Sequence, residues 1–253
     1  MSLKQDVEGV TMVDSKEAAS GKTKKKEPTV KRAVLFELER IAVKGHQIIF
    51  DALKETLESK GVTLEPATFS RYCLHHTPPR YLPVLLKAAE KTRLHEDKIL
   101  SEFTEKVKAA FVDGSLKLSA GLATILKGAE EREIQPGTLT GLDSGTAQSL
   151  LENLKLRELV GNRFLSYQGE GKVDPTADTW LRLAKSVGAS PGRCVVLASS
   201  SASCKAATSA GMLCVAVPDK FTEFEDFGGV DSVEESLGAS AAERILDLLG
   251  EVP

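Results

Sequence analysis

The stretch GKVDPTADTWLRLAKSVGASPGRCVVLASSSASCKAATSAGMLCVAV, residues 171–217, decides the fold. After a polar start, apolar side chains recur on one face of a helical pattern from Trp180 to Val187, and Gly188 follows as a stop signal. Two short apolar runs then enclose a second helical pattern: Cys194–Ala198, Ser201–Ala210 and Leu213–Val217. Strands that alternate with helices predict a parallel sheet covered on both faces.

The same alternation extends from this stretch toward both ends of the chain. The apolar run Ala33–Leu38 predicts a first buried strand. Two further candidate strands and two further candidate helices complete the pattern: Gln135–Thr140, Arg163–Tyr167, Thr146–Leu156 and Ala241–Leu249. The sequence therefore predicts an α/β fold, with a Rossmann-like parallel sheet sandwiched by helices.

A long helical segment interrupts this pattern after the first strand. Ile49, Leu53 and Leu57 recur at every fourth position, and Gly61 is a plausible stop. Further helical patterns follow, and no stretch between Gly45 and Leu118 is typical of a strand: Pro83–Lys91, Glu96–Phe111 and Ala120–Glu131. We therefore expect a disordered tail over 1–30, an α/β core formed by 31–45 and 119–253, and an inserted all-helical domain over 46–118.

Composition excludes several classes of protein. The 253 residues are 42% hydrophobic and 27% charged, with a net charge of −3, which is typical of globular proteins and not of nucleic-acid binders. Only the basic cluster Lys22–Lys26 in the tail offers a contact with nucleic acid or another anionic partner. No apolar run approaches the ~20 residues that span a bilayer, and we do not expect the acidic N-terminal segment to be a signal peptide. We expect a cytoplasmic protein with reduced cysteines and no membrane partner.

Polar side chains stand where the predicted strands end. Ligands of parallel sheets bind at the carboxyl ends of the strands, so these side chains can converge on one phosphate site. They comprise two carboxylates, a lysine, hydroxyl groups and a backbone amide: Glu37, Glu39, Thr140, Gly141, Lys172, Ser199 and Ser200. We expect Thr140, Gly141, Lys172, Ser199 and Ser200 to bind the ligand, and Glu37, Glu39, Thr140 and Lys172 to occupy the catalytic positions.

In its order of motifs, the chain resembles the haloacid dehalogenase superfamily, in the β-phosphoglucomutase-like branch with a helical cap after the first strand. The likeness covers about residues 31–250 and is clearest in the lysine loop 172–175, the helix and strand after it, and Ala210-Gly211-Met212 before the last strand. This resemblance implies an aspartate nucleophile, a second aspartate two residues on as general acid and base, and Mg²⁺ bound by carboxylates.

At the reaction centre, the chain departs from this family pattern. The family's Asp-x-Asp-Gly-Thr is replaced by the sequence from Glu37 to Ile41, and glutamate moves the reacting oxygen by ~1 Å, which can lower the rate ~100-fold. Arg40 stands in place of the glycine and can block the pocket or pair with either glutamate. Ser199 aligns with a metal-binding aspartate. We therefore expect an inactive or very weak phosphatase homologue that needs no metal or other cofactor.

Several alternatives remain open at this stage. The protein can act by binding a small phosphorylated or anionic ligand, or a protein partner through the cap; alternatively, it is an active Mg²⁺-dependent phosphohydrolase or phosphomutase that uses Glu37, with Glu37 and Glu39 as the metal ligands. Thr140 is either a phosphate ligand or a turn residue, and Glu37 can pair with Lys172. His75-His76 can belong to a cap loop or to a metal site, the loop being favoured. The neighbouring aromatic and basic residues can instead contact a ligand: Arg71, Tyr72, Arg80 and Tyr81.

Overall fold

A parallel β-sheet organises the chain in the computed structural model, which describes residues 31–168 and 172–250. Within these residues six strands pair in the order β3-β2-β1-β4-β5-β6, all parallel. The strands are β1 (Lys31–Glu37), β2 (Gln135–Thr140), β3 (Phe164–Ser166), β4 (Ala189–Ala198), β5 (Leu213–Ala216) and β6 (Ser232–Val233). The α/β class with a parallel sheet is confirmed.

Helices cover both faces of this sheet, as the buried apolar strands require. One apolar cluster joins it to α5 (Ala120–Glu131), α6 (Ser144–Asn153), α7 (Arg157–Val160) and α10 (Ala239–Leu248). A second cluster on the opposite face joins it to α8 (Ala177–Val187) and α9 (Ser201–Ser209). In α8, Trp180 is fully buried, so the apolar face that the sequence predicted is the one that packs on the sheet.

The first strand lies in the middle of the sheet, between β2 and β4. Glu37 pairs in register with Leu139, and Phe36 pairs with Leu197 on the other side. The carboxyl ends of β1, β2 and β4 are therefore neighbours. This arrangement brings residues about one hundred positions apart in the sequence to the same edge of the sheet.

A single turn of π-helix, Leu38–Ala42, follows β1. The chain then enters α1 (Gly45–Glu58) through a close backbone contact, because a Cβ atom at Gly45 would lie 2.0 Å from the carbonyl oxygen of Glu39. Only glycine fits such an approach. The turn fixes the backbone at Glu39 and Arg40.

Helices also fill the segment between α1 and α5. They are α2 (Pro66–Tyr72), α3 (Pro78–Ala88) and α4 (Glu96–Val112), and together with α1 they enclose an apolar cluster of their own. Phe221, from the loop after β5, packs against Phe50 and Phe69 at centroid distances of 5.3 and 5.1 Å. The helices are thus held to the edge of the sheet, while the domain boundaries at 46 and 118 stay a prediction.

Some predicted boundaries were wrong. The helix expected from Pro83 begins at Pro78, because Thr77 and the two prolines form a favourable first turn and Pro83 is tolerated inside the helix. The strand expected over Arg163–Tyr167 is shorter at both ends. β4 begins five residues before the predicted Cys194. The short elements α2, α7 and β6 were not predicted, since so few residues carry little periodicity.

Other expectations meet the structure only in part. The predicted tail over 1–30, with its Lys22–Lys26 cluster, lies outside the described residues. The four cysteines are unpaired and buried, as expected for reduced core thiols. Across 31–168 and 172–250, every helix is too short or too polar to cross a bilayer.

Candidate active site

Glu37 ends β1 with its carboxylate already fully engaged. One oxygen, Oε2, accepts hydrogen bonds from the backbone amide of Ser199 at 2.8 Å and from its hydroxyl at 3.1 Å. The other, Oε1, accepts a hydrogen bond from Arg40 at 3.2 Å. Glu37 is only 2% exposed. The predicted alternative pairing of Glu37 with Lys172 was therefore wrong, because Arg40, three residues away on the π-helical turn, reaches the carboxylate first.

Arg40 is the centre of the polar network at this edge of the sheet. Its Nη1 lies 2.6 Å from Asp174 Oδ1, and its Nη2 donates a 2.9 Å hydrogen bond to the carbonyl oxygen of Val173. The side chain is 7% exposed and contacts two carboxylates, so its charge is compensated inside the protein. Of the two sequence-based alternatives for Arg40, pairing with Glu37 or with Glu39, the first is the one observed.

Asp174 continues the network toward the helices. Its Oδ1 accepts a second hydrogen bond, from Ser200 at 3.0 Å, and its Oδ2 lies 3.0 Å from His75 Nδ1. His75 Nε2 lies 2.8 Å from Glu225, which in turn accepts a 2.6 Å bond from the amide of Ser201. Although burial acts in the opposite direction, Arg40 and His75 hold the pKa of Asp174 below its usual range.

His75 is therefore a bridge between the helical segment and the sheet. Hydrogen bonds to Asp174 and then to Glu225 raise the pKa of His75 to about 9, so the imidazole is protonated near neutral pH. A doubly donating imidazolium satisfies both carboxylates at once. This role in a loop agrees with the favoured interpretation of His75-His76. In the described part of the chain, no group of three or more His, Cys, Asp or Glu side chains is placed to hold a metal ion.

Glu39 lies two residues after Glu37 and has a different environment. Its Oε1 accepts a 2.7 Å hydrogen bond from the amide of Gly141, whereas Oε2 is buried and has no partner among the described residues. Burial raises the pKa of Glu39, opposed by the charge of Arg40 and the bond from Gly141. Oε2 is therefore a buried polar atom whose hydrogen-bonding capacity the described residues leave unused.

Thr140 and its neighbours complete the end of β2. The hydroxyl oxygen of Thr140 accepts a 3.1 Å hydrogen bond from the amide of Leu142, and the residue is fully buried. Asp143 caps α6 by accepting from the amide of Thr146 at 3.0 Å. The hydroxyl of Thr140 thus forms part of a turn, and its role as a phosphate ligand stays a prediction. Pro136 and Gly137 do not interrupt the strand, which is continuous through both positions.

Lys172 and the two serines have separate surroundings. Lys172 is exposed, and it makes no hydrogen bond or ion pair within 31–168 and 172–250. Ser199 and Ser200 are both buried; the first binds Glu37, and the second caps α9 and binds Asp174. The two serines are thus buried and the lysine is exposed, and their shared role as phosphate ligands stays a prediction.

A cavity of about 450 Å³ lies between this edge of the sheet and the helices. Glu39, Arg40, Gly141 and Lys172 line it on the sheet side. Of the described residues around it, Glu37, Thr140, Ser199 and Ser200 are not part of the lining. The family position of the nucleophile is therefore closed to the cavity, and the position two residues on is open to it.

Comparison with known proteins identifies the family. The model of the haloacid dehalogenase-like hydrolases matches residues 22–211, which is most of the chain. The chain belongs to the haloacid dehalogenase-like hydrolase family. The resemblance inferred from the order of motifs is thereby confirmed. A search of the curated proteins found no match.

Solved structures of this family share the fold. A family IA, variant 3 hydrolase from Entamoeba histolytica is similar with a TM-score of 0.72 and 18% identity, over 87% of this chain and 100% of that one. A putative β-phosphoglucomutase from Thermotoga maritima has a TM-score of 0.65 and 20% identity, over 88% and 100%. CbbY from Rhodobacter sphaeroides, solved with phosphate, has a TM-score of 0.66 and 20% identity, over 82% and 95%. These likenesses support the β-phosphoglucomutase-like branch at the level of fold.

The Mg²⁺ that this haloacid dehalogenase-like family uses for phosphoryl transfer does not fit the side chains present. Mg²⁺ needs oxygen ligands in near-octahedral geometry. Here both oxygens of Glu37 and both of Asp174 are hydrogen-bonded within the protein. The guanidinium of Arg40, a resident cation, lies between them and would repel a second one.

Three residues of this haloacid dehalogenase-like site were missed as functional residues from the sequence. Asp174 was part of the lysine motif, His75 was considered as a loop residue and as a metal ligand, and Glu225 was not considered. Glu225 lies in an irregular loop after β5, where neither periodicity nor a motif marks it. Only the position of Asp174 beside Pro175, in the family's lysine motif, offered a signal.

Proposed function

We propose that this chain is a haloacid dehalogenase-like protein that has exchanged phosphoryl transfer for ligand binding. The observation that carries the proposal is the position of Arg40, whose guanidinium lies between Glu37 and Asp174. The charges of Glu37 and Asp174 are thus neutralised by a side chain of the protein itself.

Nucleophilic attack by Glu37 would require a free carboxylate oxygen about 3 Å from the phosphorus atom. Oε2 already accepts two hydrogen bonds from Ser199, and Oε1 is bonded to Arg40. Glu37 is also closed off from the cavity. A substrate would have to displace a buried ion pair before it could react, which costs several kcal/mol.

Lys172 supports an anionic group on the ligand. Lys172 lines the cavity and has no counter-ion in the described ranges, so an anion bound beside its ammonium group would meet an uncompensated charge. The other candidate, a protein partner at the helical segment, stays a prediction from the sequence.

The first test is a phosphatase assay over a panel of phosphomonoesters with Mg²⁺, comparing the natural chain with Glu37→Gln. The glutamine keeps the size and the hydrogen-bonding oxygen of the side chain but removes its charge. We expect no metal-dependent turnover above that of the variant. Turnover that Glu37→Gln abolishes would overturn the proposal and establish Glu37 as a nucleophile.

The second test addresses binding. A ligand that binds only the native state stabilises it by mass action, so millimolar inorganic phosphate should raise the Tm of the natural chain. Lys172→Ala should reduce this rise, whereas Lys91→Ala, at an exposed position on the helical segment, should not. An equal rise in all three proteins would show that phosphate acts elsewhere.

A further inference from the structure

The cavity between the sheet and the helices has two surfaces of opposite chemistry. The strand ends supply a floor of polar groups that carry both signs of charge: Glu39, Arg40, Gly141, Asp143 and Lys172. The helices supply a roof in which most side chains are apolar or aromatic: Ile49, Phe69, Leu74, Pro78, Tyr81, Phe103 and Val107. Its volume of about 450 Å³ lies in the range of small-molecule sites.

Among the residues of the floor, Glu39 gives the clearest indication of a ligand. A side-chain oxygen that is buried without a partner loses its hydration and gains nothing in return. Oε2 of Glu39 is such an atom, on a residue 4% exposed that lines the cavity. Since the bond from Gly141 occupies Oε1 and Oε2 is buried, a ligand in the cavity reaches Oε2 only if the side chain of Glu39 turns toward it.

We propose that this cavity binds a molecule with one anionic head on an apolar body. The head, a carboxylate or a phosphate monoester, lies on the floor between Glu39 and Lys172, and the apolar chain or ring lies against the roof. The inference rests on the proposed function, because it names the class of ligand for the same non-catalytic site.

The apolar roof argues against a sugar phosphate. The hydroxyl groups of a sugar would lose water in the cavity, and each one left without a partner would weaken binding. An apolar body gains from the same burial, by about fourfold in affinity for each methylene group. The roof therefore selects for carbon rather than for hydroxyl groups.

Isothermal titration with alkyl phosphates tests this inference on the full chain. Butyl, hexyl and octyl phosphate carry the same head on bodies of increasing length, glucose 6-phosphate carries a polar body, and octanoate replaces the head. We expect affinity to rise about fourfold per methylene until the cavity is filled. Tight binding of octanoate would assign a carboxylate head, and a clear preference for octyl phosphate would assign a phosphate head.

Matched variants locate the ligand. Val107→Thr, in the roof, should weaken octyl phosphate about fivefold by placing a hydroxyl against the chain. Val112→Thr on the same helix, at a position 42% exposed, should leave the affinity unchanged. Glu39→Gln keeps a donor at the floor and should retain binding, whereas Glu39→Ala should lose about tenfold.

The outcomes separate this inference from the proposed function. If glucose 6-phosphate and inorganic phosphate bind as tightly as octyl phosphate, or if chain length has no effect, the inference is overturned while non-catalytic anion binding stands. If none of these compounds binds, both are overturned. If an alkyl phosphate is hydrolysed with Mg²⁺, the proposed function fails whatever the chain-length series shows.

Discussion

Glu37 and Glu39 are the same residue type, two positions apart, yet their surroundings are opposite. Glu37 is the last residue of the central strand β1. Its Oε2 accepts hydrogen bonds from Ser199, and its Oε1 accepts one from Arg40. Glu39 lies on the π-helical turn beside a cavity, and one of its oxygens has no partner among the described residues. The protein uses both oxygens of Glu37, whereas Oε2 of Glu39 is buried without a described partner.

The two glutamates differ in how many of their hydrogen-bonding groups the protein already uses. A saturated network stabilises the fold but offers nothing to a substrate, since every donor and acceptor is occupied. An unsaturated buried group costs stability, and a ligand that satisfies it recovers that cost. Substitutions can test the saturated network and the unsaturated group separately.

Removal of Arg40 should have the largest effect. Arg40→Ala leaves Glu37 and Asp174 buried beside each other without a cation, and we expect the free energy of unfolding to fall by about 3–5 kcal/mol. Urea unfolding measures the loss, with Arg93→Ala as an exposed control. A loss below about 1 kcal/mol would contradict the view that Arg40 holds this network together.

Glu39→Gln should change how stability depends on pH. Since burial raises the pKa of Glu39 in the folded state, its contribution to stability is complete below its usual pKa and is lost as the pH rises through the folded value. The variant has no such group, so its stability relative to the natural chain should increase with pH above 4.5. Thermal unfolding at several pH values tests this; parallel curves would mean that Glu39 ionises normally.

Substitution of His75 should have a smaller effect on stability, and this effect comes from a cationic group rather than from an acid. Its folded pKa of about 9 lies above the ordinary 6.5, so the stability that it contributes is full below pH 6.5 and is lost as the pH rises through 9. Because the side chain is 36% exposed, we expect His75→Ala to cost about 1 kcal/mol at pH 6 and little at pH 10. The neighbouring His76 is exposed, so His76→Ala should lower the free energy of unfolding little at either pH.

Lys172 should matter least to stability and most to the ligand. The exposed side chain has no described partner, so Lys172→Ala should change the free energy of unfolding by less than about 0.5 kcal/mol. In phosphate titrations, the same variant should bind about tenfold more weakly. Weakened folding with unchanged binding would place Lys172 in the structure rather than in the site.

Local patterns determined much of the fold. The helices Ala120–Glu131 and Ala177–Val187 have the bounds that periodicity and the glycine stop predicted, and the strand Gln135–Thr140 does too. The two helices are long enough for their apolar spacing to be read from adjacent residues. The family followed from the order of such elements together with the motifs at their ends.

Tertiary structure alone decided what the site is. Arg40 meets Asp174 across 134 positions of sequence, and His75 meets it across 99, so no local spacing could pair them. Whether a glutamate is saturated or free depends on which groups the fold brings within 3 Å and how much water it removes. The sequence therefore determined the sheet and the family, because these depend on neighbouring residues. The different states of Glu37 and Glu39 were decided only when distant segments packed together.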